Sequence, residues 1–210
     1  MKGYKIFYLI LMLFFISSCA SVYYSPELKN RTSSHKKIAF IPFEIIISVE
    51  KMPKKTTIEQ IEQMEKDLSI TFQEQIYERF LNKKSNFNIE FQNVSTTNSL
   101  LKSNNINSSN IKKYTKKQLA EKLNVDAVVS GLIFARKPFS TGGSVAIALL
   151  SGFFGSTNEV DATILLNDGK DGQLLFKFND IYSGSIGSKP EKLTKAMVKK
   201  IEKKFPYRID

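Results

Sequence analysis

The chain has 210 residues and carries 31 Lys and Arg against 20 Asp and Glu, a formal charge of +11. A single Cys and a single His exclude an internal disulfide and any metal or catalytic centre built from several such side chains. The basic balance suits anionic headgroups, wall polymer or nucleic acid, although abundant Lys, Asn, Ile and Ser also mark an AT-rich genome.

At the amino terminus, Lys2 and Lys5 precede an unbroken apolar run from Ile6 to Ile16, and Ser17 and Ser18 lead into Cys19. This is the layout of a secretory signal, and the run is too short for a spanning helix, which needs ~20 residues. Ile16-Ser17-Ser18-Cys19 resembles the lipobox of bacterial lipoproteins. That resemblance implies removal of residues 1–18 as a signal peptide, attachment of diacylglycerol to the Cys19 thiol and acylation of its new amino group, with palmitate-type chains. Two or more such chains give lasting membrane attachment, at ~0.8 kcal/mol per buried CH₂. Ala20 stands where enterobacterial lipoproteins of the inner membrane commonly carry aspartate. By resemblance to that sorting rule, the expected address is the outer membrane, on its periplasmic face. Export also argues against nucleic acid as a partner.

About 190 residues would remain, enough for one domain with a sizeable core. Residues 19–36 are polar and aperiodic apart from Tyr23 and Tyr24, so they read as a lipidated, flexible tether. The folded domain is expected over residues 37–210. Its first strand is Lys37 to Phe43, with Glu44 to Val49 a possible extension.

Two overlapping capping boxes, Thr56 with Glu59 and Thr57 with Gln60, then open a long helix. Ile58, Ile61, Met64, Leu68, Phe72, Ile76 and Phe80 recur at spacings of three and four and form one apolar stripe. Asn88 to Gln92 alternates like a short strand. Residues 94–112 are rich in Ser, Asn and Thr, with a weak helical turn near Leu100 and Leu101. Thr115-x-x-Gln118 opens a shorter helix that Asn124 can close in left-handed geometry. Val125 to Ala135 is nearly continuous in apolar residues, as in a strand buried on both faces.

Val160 to Leu166 and Leu174 to Phe178 both alternate, and Asn167 to Gly172 joins them as a hairpin turn. That turn is no EF-hand loop, because its twelfth position is Phe178 rather than a bidentate Glu. Pro190 sits in the first turn of a last helix opened by Ser188-x-x-Glu191. Its Leu193, Met197, Ile201 and Phe205 face inward, and Pro206 ends it. The order β-α-β-α-β-β-β-α predicts an α/β (α+β) fold, a single mixed sheet covered by helices.

Chemistry is constrained by what is missing. His35 falls in the expected tether, Cys19 would be consumed by lipid, and no phosphate-binding glycine motif is present. Glu44, Glu50, Glu90, Asp126, Glu159 and Asp161 offer carboxylates, but no spacing singles out a pair. The expectation is therefore a non-catalytic chain with no cofactor, no metal and no small-molecule substrate. Lys112, Lys113, Lys116, Lys117 and Lys122 surround the shorter helix, and Lys192, Lys195, Lys199 and Lys203 line the last one. Both stretches suit a solvated face or contact with anionic headgroups or wall polymer. Gly142 to Gly155 is apolar, uncharged and glycine-bounded, although connections are usually polar. It either packs as a core helix or covered crossover, or meets lipid or another subunit. In the second case Val145, Ile147, Leu150, Phe153 and Phe154 are the contact residues.

KIAFIPF, the long helix from Ile58 to Leu81, QLAEKLNVDAVVSGLI and the VDATILLNDGKDGQLLFKF hairpin together resemble a group of bacterial envelope lipoproteins. The group includes the curli secretion channel subunit and the outer-membrane activators of penicillin-binding proteins. The likeness covers most of Lys37 to Phe205, and its motifs are structural rather than catalytic. The second glycine-aromatic hairpin of the curli channel has no counterpart here, and no synthase-contact residues of an activator can be placed. The resemblance implies a lipid-anchored binding or assembly module of envelope biogenesis or secretion. Its partners would be the membrane and an envelope protein or further copies of itself. A secretion-pore subunit and a regulator of peptidoglycan synthesis are the two alternatives.

Overall fold

A computed structural model describes residues 20–48, 57–136, 159–184, 186 and 189–209. Seven strands form one mixed sheet: β1 Ser21–Tyr24, β2 Lys37–Phe40, β3 Glu44–Ser48, β4 Glu90–Phe91, β5 Ala127–Arg136, β6 Glu159–Asp168 and β7 Leu174–Ser183. Five helices accompany them: α1 Leu28–Thr32, α2 Ile58–Leu81, α3 Val94–Ser103, α4 Lys116–Leu123 and α5 Pro190–Ile201. The spatial order is β1-β7-β6-β5-β2-β4, with β3 also paired to β5. Strands β2, β3 and β4 join in parallel pairs, and β5, β6, β7 and β1 in antiparallel ones. The expected α+β class and single mixed sheet are both present.

The helices form where local chemistry asks for them. Thr57 caps α2 in a capping box with Gln60, and Thr115 caps α4 in the same way with Gln118. Asn124 closes α4 at φ 53°, in the left-handed geometry that the sequence suggests. The α2 stripe of Ile61, Met64, Leu68, Phe72, Ile76 and Phe80 packs on one face of the sheet beside Leu193, Met197 and Ile201 of α5. Ile58 departs from the expectation. It is the first helical residue and stays 62% exposed, lying before the point where α2 meets the sheet. Helix α5 ends at Ile201, so Phe205 reaches the core from the turn that follows it.

Strands β2 and β3 are one extended stretch with a break at residues 41–43. Both halves pair with β5, Ile38 to Phe40 against Ala127 to Val129 and Glu44 to Ser48 against Leu132 to Arg136. Helix α2 satisfies the backbone at the break. Ser69 Oγ donates to the Phe43 carbonyl at 2.6 Å, and Gln73 Nε2 donates to that of Phe40 at 2.8 Å.

Residues 20–36 correct the sequence reading, since they are not a tether. Strand β1 pairs with β7 from Ser21–Asn179 to Tyr24–Phe176, and α1 follows it directly. Period-two alternation drives this placement: Val22 and Tyr24 stand opposite Phe178 and Phe176 on the core face. Two such residues are too few to show against a polar background in the sequence alone. Helix α3 is likewise longer than the weak turn expected there. Asn93 caps it by accepting from the Ser95 N–H, and Val94, Thr97 and Leu101 are buried.

Candidate functional site

Strand alternation gives the sheet two faces of different character. On the opposite face from α2 and α5, α3 and α4 cover Ala39, Ile41 and Val128 with Leu101, Leu119 and Leu123. Beyond Val128 no described helix covers this face. Leu132, Phe134 and Leu165 on the same face are half-buried, and Ile46, Ile181 and Tyr23 are exposed. The ladder brings them together: Ile46 pairs with Phe134, Phe134 with Asp161, Asp161 with Ile181, and Leu165 with Lys177, which pairs with Tyr23.

Polar groups are set among these apolar ones. Arg136 pairs with Glu159 at 2.9 Å and reaches Asp161 at 3.6 Å, and its guanidinium lies 5.4 Å from the Phe134 ring. Asn179 donates to Asp161 and, at 2.9 Å, to the Thr163 hydroxyl. Charge is thus largely neutralised within a partly apolar surface. Such a mixture resembles a non-obligate protein interface, apolar at its centre and polar at its rim. The alternation of β6 and β7 contained this surface, but alone it reads as an ordinary solvent face.

His35 lies in a cluster that a tether could not build. Its Nδ1 is 2.7 Å from the Tyr207 hydroxyl, and its Nε2 is 3.8 Å from Asp168 Oδ1. Arg31 donates to Asp168 at 2.9 Å, to Asp171 at 2.8 Å and to Glu27 at 2.7 Å. Asp126 Oδ2 accepts the N–H groups of Lys36 and Lys37 at 2.7 and 2.8 Å. Burial pushes the His35 imidazole below its ordinary range, against the pull of Asp168 and Asp126. Burial and the same two carboxylates push the Tyr207 phenol well up. The His35–Tyr207 contact joins the segment after α1 to the carboxyl-terminal segment, and Asp168 links both to the β6–β7 turn.

Two clefts lie among the described residues. One of 510 Å³ lies between α2 and α3, lined by Glu74, Tyr77, Glu78, Asn98 and Lys102 among others. The other, of 450 Å³, runs beside Phe43 and contains Glu65, Lys66, Ser109 and Lys112. Glu65 accepts the Ile47 N–H at 2.8 Å, and burial raises its carboxyl above the usual range. Among the described residues no group of three His, Cys, Asp or Glu is placed to hold a metal ion.

The two basic stretches differ. Around α4, Lys112 pairs with Glu44 at 3.0 Å and Lys117 with Glu121 at 3.9 Å, while Lys122 donates to Asn104. Along α5, Lys192, Lys195, Lys199 and Lys203 are exposed, and none is within ion-pair distance of a described carboxylate. Glu191 and Lys195, one helical turn apart on α5, form no ion pair. Glu191 Oε1 instead accepts from Gln75 at 3.4 Å.

Cys19 and the segment with Val145, Ile147, Leu150, Phe153 and Phe154 lie outside the described residues. No described helix is long and apolar enough to cross a membrane.

No protein-family model matches the chain, and no curated protein sequence matches it significantly. Several solved structures are similar in fold. A PelC dodecamer from Paraburkholderia phytofirmans is 11% identical at TM-score 0.41, over 91% of this chain and 99% of that one. Lipoprotein GNA1162 from Neisseria meningitidis is 14% identical at TM-score 0.41, over 80% and 96%. The LpoB C-terminal domain from Salmonella enterica is 6% identical at TM-score 0.36, over 75% and 93%. The superpositions are loose, and nothing about activity passes from these proteins to this chain.

Proposed function

We propose that this chain is an acyl-anchored envelope lipoprotein that works without catalysis, as a docking module for an envelope protein or for further copies of itself. One observation carries the reading. Strand β1 begins at Ser21, two positions after the lipobox-like Cys19, and brings the partly apolar sheet face to the point of attachment. An anchor that runs straight into the sheet presents that face at a fixed height above the membrane, which suits assembly better than capture of a diffusing substrate. Ala20 after the cysteine favours the outer membrane and its periplasmic side.

The test is a Cys19→Ser chain expressed with a fatty-acid analogue in a lipoprotein-processing bacterium. The substitution should abolish labelling and release the chain from sedimented membranes. A Cys19→Ser chain that is still processed and still sediments would overturn the anchor.

A further inference from the structure

If Cys19 carries lipid, the structure sets how far the folded body stands from the bilayer. Ala20 packs against the core, and Ser21 is hydrogen-bonded into the sheet opposite Asn179. An extended chain spans at most ~3.6 Å per residue, so residue 19 lies within about 7 Å of Ser21. Such a link leaves no room for the domain to float above the headgroups. One of the surfaces adjoining β1 must lie on them.

Two surfaces adjoin that strand. The first is the sheet face of Tyr23, Phe134 and Leu165, whose Arg136 and Asn179 are engaged with Glu159 and Asp161. The second is α5. The Tyr24 hydroxyl donates to the Lys204 carbonyl at 2.9 Å, which ties β1 to the chain just beyond that helix. Leu193, Met197 and Ile201 turn inward. Lys192, Lys195 and Lys199, at spacings of three and four, form a stripe directed away from the core, and Lys203 is exposed in the turn that follows the helix. The neighbouring Lys200 is turned to Asp180 and Lys83 to Glu202, whereas the stripe has no described carboxylate partner. Lysines held at an anionic leaflet gain from its negative surface potential within a Debye length, and a short anchor places them there.

On the anchored reading above, we propose that the domain lies with α5 against the leaflet. Lys192, Lys195, Lys199 and Lys203 meet anionic lipid phosphates. Because α5 and the open face lie on opposite sides of the sheet, the same pose turns Phe134, Leu165 and Lys177 outward toward a partner.

The experiment uses the acylated full chain in vesicles of phosphatidylethanolamine with phosphatidylglycerol, and in vesicles of phosphatidylcholine alone. Cys19 is the only native cysteine, so acylation leaves an introduced thiol as the single labelling site. Fluorophores are placed singly at Lys199→Cys and Lys177→Cys and quenched with neutral acrylamide. The label at position 199 should be shielded about threefold in the anionic vesicles and reopen in about 0.5 M salt, where screening is short-ranged. The label at position 177 should stay open in the anionic vesicles at low salt. Adding Lys192→Gln, Lys195→Gln and Lys203→Gln should remove the shielding while the chain stays vesicle-bound. An open label at 199 on an acylated chain, or shielding at 177 instead, would overturn this pose and leave the anchor standing. A chain without acyl mass on Cys19 would overturn the anchor and the pose together.

Discussion

The Phe43 ring occupies the space where a side chain on residue 131 would begin. A Cβ on Gly131 would lie 2.0 Å from Phe43 Cε1 and 2.1 Å from Cδ1. Phe43 belongs to the break between β2 and β3 and is 1% exposed, so the ring has no room to withdraw. Glycine in mid-strand here serves close approach, which is one of the few uses of glycine in a strand interior. Gly131→Ala should destabilise the fold by about 1–3 kcal/mol as an overpacked core change. In the Phe43→Leu background the same substitution should cost less, and chemical denaturation of the four chains of the cycle reads that coupling. Additive losses would mean that the two residues do not share this space.

The long helix makes a second prediction. Phe72 is 0% exposed at the middle of the α2 stripe. Phe72→Ala should therefore cost about 3–5 kcal/mol, from lost transfer energy plus the cavity left behind. A thermal midpoint unchanged within error would show that the stripe faces something other than the sheet.

A third concerns pH. The His35 imidazole is lowered from 6.5 in the folded chain, so the unfolded chain binds the proton more readily. Its contribution to stability is then fully present above pH 6.5 and is lost as the pH falls through the depressed folded value. Denaturation midpoints should drop over that range in the native chain, and the drop should be shallower in His35→Gln. Equal slopes in the two chains would remove His35 as the source.

The open sheet face gives the fourth. Leu165 and Phe134 are only half-buried, so Leu165→Glu and Phe134→Glu should each cost about 1 kcal/mol or less. Both should nevertheless lose adducts formed by a photocrosslinker at Lys177 in native membranes. The same crosslinker at Glu78, in the cleft between α2 and α3, should form none. Undiminished crosslinking from folded variants would remove this face as the docking surface.

What the sequence reveals and conceals follows from the range of the forces involved. Thr57 with Gln60, Thr115 with Gln118 and Asn124 act within one helical turn, and all three were legible as caps. The alternation of Val160 to Leu166 and the Asn167–Gly172 turn were equally local. Strand β1 was not, because Val22 and Tyr24 acquire meaning only beside Phe178 and Phe176, which lie far along the chain. His35 was hidden for the same reason, since its partners Asp168 and Tyr207 belong to the carboxyl-terminal half. The open face is a remainder: it becomes visible only when the reach of α3 and α4 over the sheet is known. The lysine stripe on α5 was readable as a pattern, but the absence of described carboxylates beside it was not.

The hydrogen bond from Tyr24 to Lys204 spans 180 residues of chain, and the Arg31–Asp168 pair spans 137. Contacts of such separation are slow to form, because the loop between them must close first. For an exported chain this orders events in time. The amino-terminal strand crosses the membrane first, yet its partner β7 follows near the end of translocation. If residue 19 is acylated during export, the lipid is in place before the sheet it adjoins exists. The membrane would then be the surface on which that pairing is completed, with β1 unpaired until β7 follows it across.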